Sequence, residues 1–112
     1  MKKTFILITS LLVLPFNLKA DSPSKVILSF NNESNTLKIE ASHPVKNVDK
    51  HFIDLITILV DGKQVKELTL QKQSSKSGEI VELQLPEIKK GVTVTVKARC
   101  NQFGTKKESL KI

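Results

Sequence analysis

The strongest strand signal in this sequence is Val92-Thr-Val-Thr-Val-Lys-Ala-Arg-Cys100-Asn-Gln-Phe-Gly104, in which apolar and polar side chains alternate strictly as far as Cys100. A period of two over this length indicates a β-strand with one face buried and one face solvated. Cys100 is in phase with the apolar set and stands where the strand gives way to a turn. Two roles therefore stay open for this thiol: a small core residue, or a ligand directed into a loop-lined site.

Six further segments have strand patterns separated by turn residues, and none has a helical period. Segment 51–60 is nearly all apolar and rich in β-branched residues, which predicts a central strand buried on both faces, and Asp61-Gly62 after it predicts a hairpin turn. The polar segment 71–78 is expected to be the most mobile loop. Seven short strands predict an all-β fold, a seven-stranded immunoglobulin-like antiparallel β-sandwich. The six segments are residues 25–30, 36–41, 51–60, 65–70, 79–85 and 107–112.

The N-terminus has the layout of a secretory signal peptide. A basic Met1-Lys-Lys head precedes an apolar run at residues 5–16, which is too short to span a bilayer as a helix, and a polar segment then ends at Ala20. We therefore expect residues 1–20 to be removed on export. The simple Lys-Lys head favours a bacterial periplasm as the destination.

The mature chain, residues 21–112, is long enough for one small domain. Loss of Lys2, Lys3 and Lys19 lowers the formal net charge from +7 to +4. The remaining lysines form no basic block, and Trp and Tyr are absent, so nucleic-acid binding is not expected. No second apolar segment has transmembrane length, and we expect no membrane span in the mature chain.

The mature chain contains three strong transition-metal ligands, His43, His51 and Cys100. All three lie at predicted strand ends, where the loops of a sandwich meet, and two imidazoles with a thiolate suit iron, copper or zinc. One cysteine makes no internal disulfide, so an odd thiol in an exported protein points to a ligand, a reactive group or an intermolecular bond. Taken singly, each residue is also compatible with surface decoration or packing. Nothing marks the third orienting group that a Cys–His nucleophile needs.

Several of these segments together resemble one known family. The residues are His43-Pro44, then His51-Phe-Ile-Asp54 leading into Val60-Asp-Gly-Lys63, then Val94-Thr-Val-Lys-Ala-Arg-Cys100-Asn101 with Gly104. In this combination the sequence resembles the iron-binding domain of desulfoferrodoxin and neelaredoxin, the superoxide reductases, over residues 25–112.

The resemblance implies an immunoglobulin-like sandwich holding one non-haem iron, with four His in a plane and a Cys thiolate on the axis. It implies reduction of superoxide to hydrogen peroxide, here with an external one-electron donor because the chain has no Cys-x-x-Cys module. His43 and His51 match two of the planar ligands and Cys100 matches the thiolate. Two family His residues are absent: Phe103 stands at one position, and segment 21–27 has no His at the other. A carboxylate such as Asp49 is a candidate replacement.

Two lysines between the His residues, Lys46 and Lys50, are candidates for steering or protonating the superoxide anion; the alternative is that they only solvate the loop. The missing ligands leave a second function open, a non-catalytic immunoglobulin-like module that carries metal or binds a protein. A copper-handling domain is a third, although the ligand order of blue-copper proteins is absent.

Overall fold

The structure is a computed structural model that describes residues 22–112. These residues form seven strands in two antiparallel sheets and contain no helix. The predicted all-β, seven-stranded immunoglobulin-like sandwich is confirmed, while the predicted leader lies outside the described residues. The strands are β1 (Lys25–Asn31), β2 (Thr36–Ser42), β3 (Ile53–Val60), β4 (Lys63–Thr69), β5 (Gly78–Gln84), β6 (Thr93–Cys100) and β7 (Thr105–Lys111).

One sheet has the strand order β1-β2-β5 and the other has the order β4-β3-β6-β7. The strand with the strongest sequence signal, β6, is therefore an inner strand between β3 and β7. Its inward residues are buried and its last outward ones, Lys97 and Arg99, are exposed, as the alternation predicts. Inward residues of β2, β3 and β6 supply most of the core, with Leu37, Ile39, Ile53, Ile56, Ile58, Val94 and Val96 fully inaccessible.

The central position of β3 is confirmed, but its predicted burial on both faces is wrong. Ile53, Ile56 and Ile58 are buried, whereas Leu55 and Thr57 are only partly covered. The physical reason is that the four-stranded sheet packs against the other sheet on one face only. A register shift between Ile53 and Leu55 also changes the phase of the strand at its beginning.

The predicted hairpin between β3 and β4 is present. Asp61 and Gly62 both have positive φ, 50° and 84°, the combination that the type I′ hairpin turn requires. The Oδ1 atom of Asp61 also accepts a hydrogen bond from the backbone N–H of Thr93 at 2.9 Å. The turn is thereby tied to the start of β6.

The other end of β6 is held to β3 by an ion pair on the outer face of the sheet. Arg99 donates to both carboxylate oxygens of Asp54, at 2.9 and 3.1 Å. This hydrogen bonding, with the charge of Asp54, raises the pKa of Arg99 above its ordinary value. Directly beside this pair, Ile53 is the register partner of Cys100, so the start of β3 and the end of β6 are fixed together.

No helix in the described part of the chain is both long and apolar enough to cross a membrane.

Candidate metal centre

The three predicted ligands come together at one end of the sandwich. His43 directly follows β2, His51 lies two residues before β3, and Cys100 is the last residue of β6. One nitrogen of each imidazole and the Cys100 sulfur lie within 4.8 Å of one another. Because β2 belongs to one sheet and the other two strands to the second sheet, the cluster spans both layers. Tertiary structure alone creates it.

The side chains of the cluster are largely shielded from water. His43 and Cys100 are each 2% exposed, and His51 is partly exposed. The two imidazole rings meet edge to face, with centroids 4.8 Å apart and an interplanar angle of 88°. The thiol that the sequence left open as core or ligand is therefore both buried and adjacent to two imidazoles.

His43 is held by a side chain from the loop between β4 and β5. Its Nδ1 atom lies 2.8 Å from Oε1 of Gln73, and Gln73 is itself 1% exposed. The same Oε1 accepts the backbone N–H of Ile53 at 3.2 Å, while Nε2 donates to the carbonyls of His43 at 2.8 Å and Ser75 at 2.9 Å. One buried amide thus joins both sheets behind the cluster.

The Cys100 sulfur lies in a tight turn. Gln102 donates its backbone N–H to Sγ at 3.3 Å, and the Cys100 N–H is donated to the carbonyl of Gly104 at 2.9 Å. Gly104 has φ of +101°, and a Cβ there would meet Ser22 at 2.6 Å. Hydrogen bonds to a ligand sulfur alter the electron density that it gives to a metal, so this turn would also tune Cys100 as a donor.

His51 is positioned through its neighbours rather than by β3. Its backbone N–H is donated to the carbonyl of Asn47 at 2.9 Å. On either side, the Asn101 side chain accepts from the N–H of Phe52 at 2.9 Å and donates to the carbonyl of Lys50 at 3.0 Å. The residue after Cys100 thus clamps the segment that carries His51.

The Nε2 atom of His51 is buried and makes no hydrogen bond in the described part of the chain. A buried polar atom without a partner is costly and rare. An unprotonated Nε2 can give its lone pair to a metal ion that lies beside Cys100 and His43. The donor set, two imidazoles and one thiolate, fits iron as well as copper or zinc. Three protein donors leave further coordination positions for exogenous ligands.

Lys46 and Lys50 are both exposed. They line an open cleft of about 560 Å³ together with Pro44, Val45, Asn47, His51 and Gln102. The sequence prediction placed these lysines near the site, and the structure puts them on the same cleft as one candidate ligand. Their roles in steering or proton transfer remain predictions.

Among residues 22–112, Asp49 does not replace a missing ligand. Asp49 is exposed, and the ligand cluster contains no carboxylate. Phe103 is 49% exposed at the turn after Cys100, and a hydrocarbon ring offers no donor to a metal. The described centre is a three-donor centre.

Sequence reasoning missed Gln73 and gave Asn101 no role. Asn101 carried a signal, because it directly follows the cysteine in the quoted Cys-Asn pair. Gln73 carried none: it lies in the Ser- and Lys-rich segment 71–78, which was expected to be a mobile polar loop. Only the burial of its side chain identifies it.

A search of solved structures finds the same architecture in a superoxide reductase (1Fe-SOR) from Giardia intestinalis. The match covers 82% of this chain and 97% of that chain, with a TM-score of 0.58 and 16% sequence identity. In fold, this chain is similar to a superoxide reductase. No protein-family model and no curated protein sequence matches the chain. At this identity the likeness establishes the superoxide-reductase-like fold and leaves metal and reaction to be argued from the residues.

Proposed function

We propose that this protein is an exported, divergent relative of the superoxide reductases that binds one iron ion through His43, His51 and Cys100. Its reaction is the one-electron reduction of superoxide to hydrogen peroxide with uptake of two protons from the surrounding water, and an external donor supplies the electron. The observation that carries the proposal is the convergence of these three donors within 4.8 Å at one end of the sandwich. The fold shared with a superoxide reductase supports the same reading.

The protein's own side chains would do three things for this reaction. Cys100 and the two imidazoles hold the metal, which when bound supplies the electron. The cleft beside His51 admits a small anion from solvent. Lys46 and Lys50, exposed on that cleft, would raise the local concentration of an anion by their positive charge and are the proposed proton donors.

A second function is favoured by the small number of donors. With three protein ligands and an exposed Phe103, iron is held less firmly than by five ligands, and a His₂Cys set also suits copper or zinc. The alternative is therefore a non-catalytic immunoglobulin-like module that carries a metal or binds a partner protein.

Metal analysis of the exported protein tests the binding half of the proposal. Wild type is expected to contain one iron per chain with a thiolate-to-metal charge-transfer band, and Cys100→Ser is expected to lose that band. Thr95→Ser, on the outward face of the same strand, is the control and should match wild type. Absence of metal from wild type, or an identical spectrum and occupancy in Cys100→Ser, refutes the ligand assignment.

Rapid mixing of the reduced, iron-loaded protein with superoxide tests the reaction. The proposal expects hydrogen peroxide to form with one protein oxidised per superoxide consumed, at a rate above spontaneous dismutation. If protein that retains its metal reacts no faster than spontaneous dismutation, catalysis is refuted and the non-catalytic module is favoured.

A further inference from the structure

The buried amide of Gln73 contacts groups whose hydrogen-bonding character is unambiguous. The Ile53 backbone N–H is a donor, and the carbonyls of His43 and Ser75 are acceptors. The amide therefore has one allowed orientation, with Oε1 toward Ile53 and Nε2 toward the two carbonyls. Rotation by 180° would place two donors face to face and two pairs of acceptors face to face, inside a region that water does not reach.

This orientation determines which nitrogen of His43 carries a proton. Oε1 is an acceptor only, and it lies 2.8 Å from Nδ1 of His43. Nδ1 must then be the donor, so that the lone pair of the neutral ring lies on Nε2. Nδ1, which faces Gln73, then carries the proton and has no lone pair for a metal.

We propose that Gln73 is the positioning residue of the metal centre: it fixes the tautomer and ring orientation of His43 and so assigns Nε2 as the ligand atom. The inference deepens the proposed function and rests on it for the part that concerns metal affinity. Partners of this kind orient ligand imidazoles and raise their basicity. Gln73 also bonds to the first residue of β3, so that it holds the His43 segment against the strand that follows His51.

The tautomer is measurable in the metal-free protein, where it does not depend on the proposed function. The chain contains two His residues, and ¹⁵N correlation spectra distinguish a protonated from an unprotonated ring nitrogen. Wild type is expected to show the proton on Nδ1 of His43. A His43 protonated only on Nε2 overturns the inference without any variant.

Variants then test whether Gln73 is the cause. Gln73→Leu removes the acceptor, and we expect a mixture of tautomers and about 10- to 100-fold weaker binding of Co²⁺, read from the thiolate charge-transfer band. Gln73→Glu keeps an acceptor for Nδ1 and is expected to keep the tautomer, to bind Co²⁺ more tightly than Gln73→Leu, and to shift the Co²⁺ bands. Gln71→Leu and Gln71→Glu, at an exposed position two residues away, are the matched controls and should resemble wild type.

The outcomes separate the two proposals. If wild type binds no Co²⁺, the proposed metal centre is refuted. The tautomer measurement then still decides whether Gln73 orients His43. Wild type that binds Co²⁺, with Gln73→Leu equal to it in tautomer and affinity, overturns the inference alone. Folded Leu and Glu variants that are equally weakened, with unshifted bands, show a purely structural role and also overturn it. Should Gln73→Leu fail to fold, the wild-type tautomer and the Gln73→Glu bands decide.

Discussion

Asn101 and Phe52 are joined by two reciprocal hydrogen bonds: the backbone N–H of Asn101 is donated to the Phe52 carbonyl, and the Phe52 N–H to Oδ1 of Asn101, both at 2.9 Å. Each residue directly follows a candidate ligand, Cys100 in one case and His51 in the other. The pair therefore fixes the separation of two candidate ligands that are far apart in sequence.

Asn101→Ala removes half of this link and the bond to the Lys50 carbonyl. We expect a loss of about 1 kcal/mol in the free energy of unfolding and roughly tenfold weaker metal binding, measured by denaturation of the metal-free protein and by Co²⁺ titration. Gln102→Ala is the control, because its backbone N–H still reaches Cys100 Sγ and its side-chain bond is long, 3.5 Å. Equal effects of both variants on metal affinity would contradict the role of Asn101.

Gly78→Ala should disturb the backbone that carries His43. A Cβ at Gly78 would overlap the Ala41 carbonyl oxygen and lie 3.2 Å from the His43 nitrogen, so β2 and β5 must separate locally. Overpacking of this kind costs about 1–3 kcal/mol, and metal affinity should fall with it. Gly91→Ala, also at positive φ but with open space around it, tests backbone strain without the clash. Unchanged metal affinity in folded Gly78→Ala would show that His43 tolerates the shift.

Replacing Lys46 and Lys50 by Gln should slow reaction with superoxide by about three- to tenfold at low salt and flatten its salt dependence, because the anion loses local attraction. The control is the same change at Lys89 and Lys90, beyond the opposite end of β6. That strand has eight residues, which at about 3.3 Å each puts the control roughly 25 Å away. Stopped-flow rates across ionic strength make the comparison. Equal slowing in both double variants would mean that the rate depends on the net charge of the protein and not on the positions of Lys46 and Lys50.

Ile58→Ala should destabilise the fold by about 2–5 kcal/mol, because Ile58 is fully buried on the inner strand β3. Ile80→Ala removes the same atoms from a side chain that is 58% exposed and should change the free energy of unfolding by no more than about 0.5 kcal/mol. Urea denaturation of the two metal-free variants gives both values. A loss at Ile80 as large as at Ile58 would place a partner or a second packing surface on the outer face of β5.

Export predicts a mature protein that begins at Asp21 and has 92 of the 112 residues. Expression with the native leader in a Gram-negative host, followed by mass spectrometry of the periplasmic fraction, measures this directly. Ala20→Lys should block cleavage, because the processing site needs a small residue. Full-length chain in the cytoplasmic fraction, for wild type as well, would remove the assignment to the periplasm.

The fold was readable because its signals are local. Alternation in β6 requires only that neighbouring side chains point to opposite faces, and Asp61-Gly62 supplies the positive φ values of a hairpin within two residues. The error on β3 arose where the pattern was not local: a run of apolar residues does not show that only one face meets the other sheet. One face of β3 is partly exposed because its sheet packs against the other sheet on the opposite face only.

The candidate ligands could also be identified from the sequence, but the residues that position them could not. His43, His51 and Cys100 are the strong soft donors after the predicted leader, so composition alone selects them. Gln73 lies between polar residues that resemble any solvated loop, and nothing in its neighbours indicates that it is 1% exposed. A hydrogen-bond partner thirty residues away has no period and no spacing rule to reveal it.

By itself, therefore, the sequence determined the strands, their turns and the identity of three candidate ligands, because each depends on side-chain type and on spacing within a few residues. Only the tertiary structure decided that the three donors lie within 4.8 Å of one another, that buried Gln73 holds His43, and that the Asn101–Phe52 pair links the positions of His51 and Cys100. Packing of two sheets brings loop ends together from positions far apart along the chain. Their separation is set by long-range backbone register rather than by any local preference.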